Sequence, residues 1–264
     1  MMEDLTVTLV QTDLAWENPQ VNRKMFTEKL DQINSPTDLI ILPEMFTTGF
    51  TLNAPQFAEP HMATTFQWMA EQADKKNADI IGSIIVTEQN RYYNRLYWVR
   101  KDGSSVFYDK RHLFRMADEH KVFSAGKERI IGILKGWKIL PLVCYDLRFP
   151  VWARGPQKDY DLIIYIANWP ESRSSHWRLL LAARAVENQA YGIGVNRIGK
   201  DGTGKLYRGD SAIFDPLGNI IHLETYNDII ITETLSYEKL KRYRSKFPVW
   251  MDSDSFKIIK KNGR

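Results

Sequence analysis

Two apolar runs decide how this chain is read: WKILPLVCYD at residues 137–146 and DLIIYIANW at residues 161–169. Each is apolar along nearly its whole length, as expected of a strand covered on both faces. Each then turns polar at its carboxyl end. DLIILPE (38–44) has the same form, and LTVTLVQ (5–11) reads as a first strand. Residues 19–33, 61–76 and 174–189 carry apolar residues at helical spacing. Val21, Met25, Phe26, Leu30 and Ile33 mark the first, and Trp177, Leu180, Leu181 and Ala185 the last. ADIIGSIIVTEQ (78–89) and YYNRLYWVR (92–100) are successive strands, with KDG (101–103) as a turn. YGIGVNRIG, GDSAIFDPLGNII and DIIITETL close the chain with strands and Gly-rich turns. Alternating strands and helices define an α/β organisation, with antiparallel hairpins near the end.

The chain has 264 residues, enough to bury a large core without disulfides or a metal. No Pro-, Gly- or Ser-rich linker and no short repeat interrupts it, so residues 1–264 are expected to form a single domain. The single cysteine rules out an internal disulfide. MMEDLTVTLVQTDL carries acids where a signal peptide would carry bases, and no run of about 18 apolar residues predicts a membrane span. The expected location is the cytoplasm. The net charge of +4 is unevenly spread, because residues 238–264 hold nine Lys/Arg against three acids. Such a tail can attract nucleic acid or a membrane surface. With no nucleic-acid motif beside it, it reads as a solvated end or a subunit contact.

Cys144 ends its apolar run, and a strand end followed by a tight turn projects a side chain into a pocket. A lone free cysteine is more often buried and inert. A thiol of ordinary pKa, near ~8.5, needs a base or a cation to react at neutral pH. None of the five histidines lies in a recognisable cysteine-protease signature. A carboxylate base is therefore sought. Glu44 lies directly beyond DLIILP and before the apolar MFTTGF, where partial desolvation suits acid–base work. Lys110, in VFYDKRHLF, could stabilise a thiolate and then an oxyanion. Lys110 and Glu119, in ADEH, are each unremarkable singly.

The ordered set is specific where its pieces are not. ILPEMF, YDKRHLF, ADEH and LVCYDLRFP together resemble the nitrilase superfamily of carbon–nitrogen hydrolases, over nearly the whole chain. The resemblance implies a Glu44–Lys110–Cys144 triad assisted by Glu119. It also implies a four-layer α-β-β-α sandwich whose dimers pack sandwich on sandwich. LPEMFTTGF, KRHLFRMADEH, CYDLRFPVWAR, ANWPESRSSHW and ARAVENQAYGIGVNRIG are similar to the bacterial omega-amidase branch. That branch cleaves the side-chain amide of 2-oxoglutaramate or 2-oxosuccinamate, giving a dicarboxylate and ammonia.

The implied chemistry needs no metal or other cofactor, and no His/Cys/Asp/Glu cluster has metal-ligand spacing. The expected partners are a small amide and further copies of the chain, with neither nucleic acid nor membrane. Arg173 is a candidate for a substrate carboxylate, with a structural ion pair as the alternative. Phe46, Met116, Tyr145 and Trp169 are candidate pocket walls, and Asn168 joins Trp169 beyond its strand. The Tyr145 main-chain N–H is a candidate oxyanion donor. Arg148 is expected to hold its turn through an ion pair. Other activities of the superfamily (nitrilase, N-carbamoyl hydrolase, aliphatic amidase) and a non-catalytic binding protein on the same fold are the alternative readings.

Overall fold

The structure, a computed structural model, describes residues 2–155 and 158–259. In chain order the first half contains β1 (Leu5–Gln11), α1 (Pro19–Asp31), β2 (Leu39–Ile41), α2 (Ala54–Phe57), β3 (Glu59–Pro60) and α3 (Thr64–Lys76). It continues with β4 (Asp79–Glu88), β5 (Arg91–Val99), β6 (Ser105–Asp109) and α4 (Glu119–Val122). The second half contains β7 (Gly132–Leu134), β8 (Trp137–Val143), α5 (Pro150–Ala153), β9 (Leu162–Ala167) and α6 (Ser174–Asn188). After these come β10 (Tyr191–Asn196), β11 (Ile198–Lys200), β12 (Leu206–Phe214), β13 (Ile220–Thr225), β14 (Ile229–Leu235) and α7 (Tyr237–Lys246).

Among the described residues the strands form two seven-stranded sheets. The first runs β14-β1-β2-β4-β5-β6, with β3 on β4. The second runs β11-β12-β10-β9-β8-β7, with β13 on β12. Each has a parallel centre, β1-β2-β4 in one and β8-β9-β10 in the other. Antiparallel pairs extend the edges, as at β4-β5 and β10-β12.

Side-chain alternation sorts the layers. Leu5, Val7 and Leu9 of β1, Leu39 and Ile41 of β2 and Leu96 and Trp98 of β5 face the second sheet. There they join Ile139, Leu142 and Leu162–Ala167 in the main core. The intervening Val10, Ile40, Ile80, Tyr97 and Val99 face outward onto Phe26 and Leu30 of α1 and Phe66, Met69 and Ala73 of α3. A period-2 pattern that is apolar on both faces thus gives one face to the sheet–sheet core and one to helices. On the far side, α6 covers the second sheet. Gly192 and Gly194 in β10 make that possible, since a Cβ at Gly194 would lie 2.4 Å from Leu181 and 2.6 Å from Trp177. The layers are helices, sheet, sheet and helix.

The first part of the basic tail is not simply solvated. α7 exposes Lys239, Lys241, Arg242 and Lys246 but buries Leu240 and Arg244, four residues apart on one face. Arg244 donates to Asp161 at 2.6 Å and to the carbonyls of Tyr160 (2.6 Å) and Gln189 (2.8 Å). Residues 260–264 of that tail lie outside the described residues. No described helix is long and apolar enough to cross a membrane.

Candidate active site

The carboxyl ends of the parallel strands converge on one site. Glu44 lies three residues beyond β2, Cys144 directly after β8, and Asn168 directly after β9. The β2 exit stays attached to β4: Leu42 N–H donates to Ile81 O (2.8 Å), Met45 N–H to Ser83 Oγ (2.9 Å) and Phe46 N–H to Ser83 O (3.2 Å). Lys110 directly follows β6, and its N–H donates to Asn94 O of β5 at 3.0 Å.

Glu44 and Glu119 are fully buried and Lys110 is 1% exposed. The Lys110 ammonium donates to Glu44 Oε1 at 2.9 Å and to both Glu119 oxygens at 3.0 Å. Asn94 Nδ2 donates to Glu44 Oε1 at 2.7 Å, and the Asn168 main-chain N–H to Glu44 Oε2 at 2.8 Å. Glu119 Oε2 also accepts the Phe114 N–H, at 2.5 Å. Buried charges survive only when paired and hydrogen-bonded, and every carboxylate oxygen here has a donor. Glu44 Oε1 carries two donors and Oε2 one, so Oε2 retains acceptor capacity for a proton.

Burial works against the Lys110 ammonium, but Glu119 and Glu44 outweigh it and hold its pKa above the ordinary lysine value. Burial pushes the Glu119 carboxyl up; Lys110 pulls it back only in part, and Glu44 adds to the rise. The Cys144 thiol is held well above its ordinary value by burial, then by the charge of Glu44, with Lys110 opposing. The resting group at neutral pH is therefore a thiol, and reaction requires a base that removes its proton as sulfur attacks.

The turn bearing Cys144 is strained. Its φ is +45°, a left-handed value uncommon outside glycine, and Met45 next to Glu44 is at +43°. Buried Asp146 holds the elbow in place. It accepts the Val143 N–H (3.1 Å), the Tyr108 hydroxyl (2.8 Å), the His112 N–H (3.0 Å) and His112 Nδ1 (2.7 Å). One carboxylate thus ties the cysteine turn to the segment carrying Lys110, and it also occupies His112, the histidine nearest in sequence to Lys110.

A narrow cavity of about 40 Å³ opens above Cys144. Tyr145, Asn168, Trp169 and Arg173 line it, together with Lys110 and Cys144. Two expected wall residues lie elsewhere. Phe46 points to the outer face, where it packs edge-on against Phe26 and tilted against Trp68, with ring centroids at 5.3 and 5.7 Å. It rests on Gly82, whose missing Cβ would come within 2.9 Å of it. Met116 is 71% exposed, on the short helical turn 115–117, and its neighbours Phe114 and Ala117 take the wall positions. Arg148 has no carboxylate within 4 Å among the described residues, so no ion pair holds the turn. It stacks over Trp169 at 4.8 Å and faces the cavity. Arg173 is likewise without an ion pair among the described residues and lies over Phe114 at 5.4 Å.

Phe50, Phe114, Lys205 and Tyr207 also line the cavity and Asn94 supports Glu44, none of them singled out from sequence. Asn94 had a signal, as the one carboxamide in β5, whose other residues are aromatic, aliphatic or arginine. Lys205 and Tyr207 had none, because the β11–β12 hairpin reaches the site only through folding.

A buried Glu–Lys–Glu cluster facing a cysteine at a strand-end elbow, between two helix-covered sheets, defines a cysteine hydrolase of carbon–nitrogen bonds. The chain belongs to the carbon–nitrogen hydrolase family, whose description matches residues 6–245. It is 47% identical to the omega-amidase YafV of Escherichia coli K12, over 97% of this chain and all of that protein. It is 32% identical to a 2-oxoglutaramate amidase of Bacillus subtilis, over 94% of this chain and 96% of that one. Its structure is similar to that of a CN-hydrolase superfamily protein of Xanthomonas campestris, solved with an arsenic adduct in its active site. That match has a TM-score of 0.95 at 41% identity and covers 97% of this chain and all of the other.

Proposed function

We propose that this chain is an omega-amidase that converts 2-oxoglutaramate or 2-oxosuccinamate to the dicarboxylate and ammonia, with Cys144 as nucleophile. The observation that carries this reading is the pairing of the buried Glu44–Lys110–Glu119 cluster with a cavity ringed by cations. Arg148, Arg173 and Lys205 line that cavity beside the hydrophobic Phe50, Phe114 and Trp169. A small substrate with an amide at one end and a 2-oxo carboxylate at the other matches both ends. The omega-amidase and 2-oxoglutaramate amidase relatives support the choice.

Glu44 Oε2 takes the thiol proton as Cys144 Sγ bonds to the amide carbon. The oxyanion is held by the Lys110 ammonium and the Tyr145 main-chain N–H, at the first turn of the short helix 144–148. The intermediate collapses as the carbon–nitrogen bond breaks, and Glu44 delivers its proton to the nitrogen so that ammonia leaves. Water then attacks the thioester, losing a proton to Glu44. The carbon–sulfur bond breaks, and that proton returns to sulfur. Glu119 holds Lys110 throughout and shares its charge.

Residues 1–264 are read as one catalytic domain ending in a basic segment, working in the cytoplasm as a homodimer or larger homo-oligomer. The deciding experiment is ammonia release from 2-oxoglutaramate, 2-oxosuccinamate, glutamine and asparagine side by side. Preference for the two oxo-acid amides is expected. Turnover restricted to nitriles or ureido acids would remove the proposal.

A further inference from the structure

Asn168 holds an unspent acceptor at the cavity. It is 5% exposed, lines the cavity with Cys144 and Lys110, and leaves Oδ1 without a hydrogen-bond partner. Its orientation is forced. Nδ2 donates to the Glu44 carbonyl at 2.5 Å, and exchanging the amide's nitrogen and oxygen would press two acceptors together. Asn94 also leaves Oδ1 unpaired, but it does not line the cavity. A buried polar atom without a partner is costly, and in a binding site it is the natural seat for a ligand's donor.

The other groups around the cavity leave few acceptors. Lys110, Arg148, Arg173 and Lys205 are donors only. The Tyr207 hydroxyl spends its hydrogen on Asp201 at 2.8 Å and keeps its oxygen as an acceptor, so it stands beside Asn168 Oδ1 among the few that remain. Glu44 Oε1 and the Glu119 carboxylate are occupied by Lys110, Asn94 and Phe114. A substrate carboxamide brings the complementary need. Its oxygen takes donors, and its NH2 must give two hydrogens to acceptors.

We infer that Asn168 Oδ1 accepts one N–H of the scissile amide, a contact that selects amides over esters and sets the leaving nitrogen for protonation. The inference rests on the amidase reading above. The Asn168 main-chain N–H meets Glu44 Oε2 while its side chain holds the Glu44 carbonyl. One residue therefore registers the base against the leaving group. With one N–H on Oδ1, the nitrogen is presented to Glu44, which returns the proton as the carbon–nitrogen bond breaks.

The test compares 2-oxoglutaramate with the methyl ester of the same terminal carboxyl, whose leaving oxygen has no hydrogen to give. Asn168→Ala and Asn168→Ser are assayed on both, and the readout is the amide-to-ester ratio of kcat/KM. That ratio is independent of how much of a variant is folded. Loss of one hydrogen bond to the amide should lower it roughly fivefold to tenfold in both variants. A ratio equal to wild type, or abolition of both reactions in both variants, overturns the inference, because support of Glu44 then accounts for the whole effect. If the wild type ignores 2-oxoglutaramate but cleaves another amide, the substrate reading fails. The same comparison on that amide and its ester still decides the role of Asn168.

Discussion

Replacing Lys110 by methionine tests the buried cluster most directly. The ammonium lies 2.9 Å from Glu44 and 3.0 Å from both oxygens of Glu119, and neither carboxylate is solvent-exposed. Lys110→Met keeps the side chain up to the ammonium, one heavy atom short, and strands two carboxylates together. Breaking a buried pair in this way costs about 3–5 kcal/mol. For a chain of this size that is a fall in Tm of roughly 6–20 °C at pH 7. The sign of the pH dependence follows from Glu119. Its folded pKa is already above its ordinary value through burial, and losing Lys110 raises it further. A carboxyl raised on folding binds more protons when folded, so stability falls as pH rises from the unfolded carboxyl pKa through the folded one. The Tm deficit of Lys110→Met should therefore be smallest near pH 5 and widen toward pH 8, and amide turnover should fall at least 100-fold. Thermal unfolding followed by circular dichroism from pH 5 to 8 measures it. A variant within 2 °C of wild type at every pH (a ~2 °C margin being under ~1 kcal/mol for this size) would refute the charge cluster as described.

Three further outcomes are expected. Cys144→Ala should fold and lose turnover, and mass spectrometry of quenched wild type should find an acyl adduct on Cys144; an adduct elsewhere contradicts the thioester. Glu44→Gln should lower kcat by about 10²–10⁴. It should also shift the pH profile of iodoacetamide labelling of Cys144 downward, because the Glu44 charge helps to hold the thiol's pKa up while Lys110 remains in place; an unmoved profile would detach Glu44 from the thiol. Arg173→Ala and Lys205→Ala should each raise KM for 2-oxoglutaramate about tenfold or more, as expected for a charge-assisted hydrogen bond, while sparing an uncharged amide of similar length. Equal loss on both amides would assign these residues a structural role.

Sequence by itself carried the alternation of strands and helices, and through the family resemblance it implied the layering and the residues of the cluster. Runs such as 38–44, 137–146 and 161–169 are apolar on both faces, which only doubly covered strands require, and each carries a residue of the site at or near its end. Glu44, Lys110 and Cys144 follow strands, whereas Glu119 opens α4, and the four were legible together through their fixed order. An apolar run that gives way to polar residues is a local property repeated along the chain. What the tertiary structure decided is which neighbours share the cavity. Phe46 and Met116 sit beside site residues in sequence but not in space. The left-handed turn at Met45 is followed by Phe46 on the outer face, and the 115–117 turn leaves Met116 in solvent. Arg148 has the cavity and Trp169 in place of an ion pair. Lys205 and Tyr207 arrive from a hairpin about sixty residues beyond Cys144, and no spacing rule connects them to it. The unpaired Oδ1 of Asn168 is likewise invisible in the sequence. Hydrogen-bond satisfaction is a property of three-dimensional neighbours, and it exists only once both sheets have brought their strand ends together.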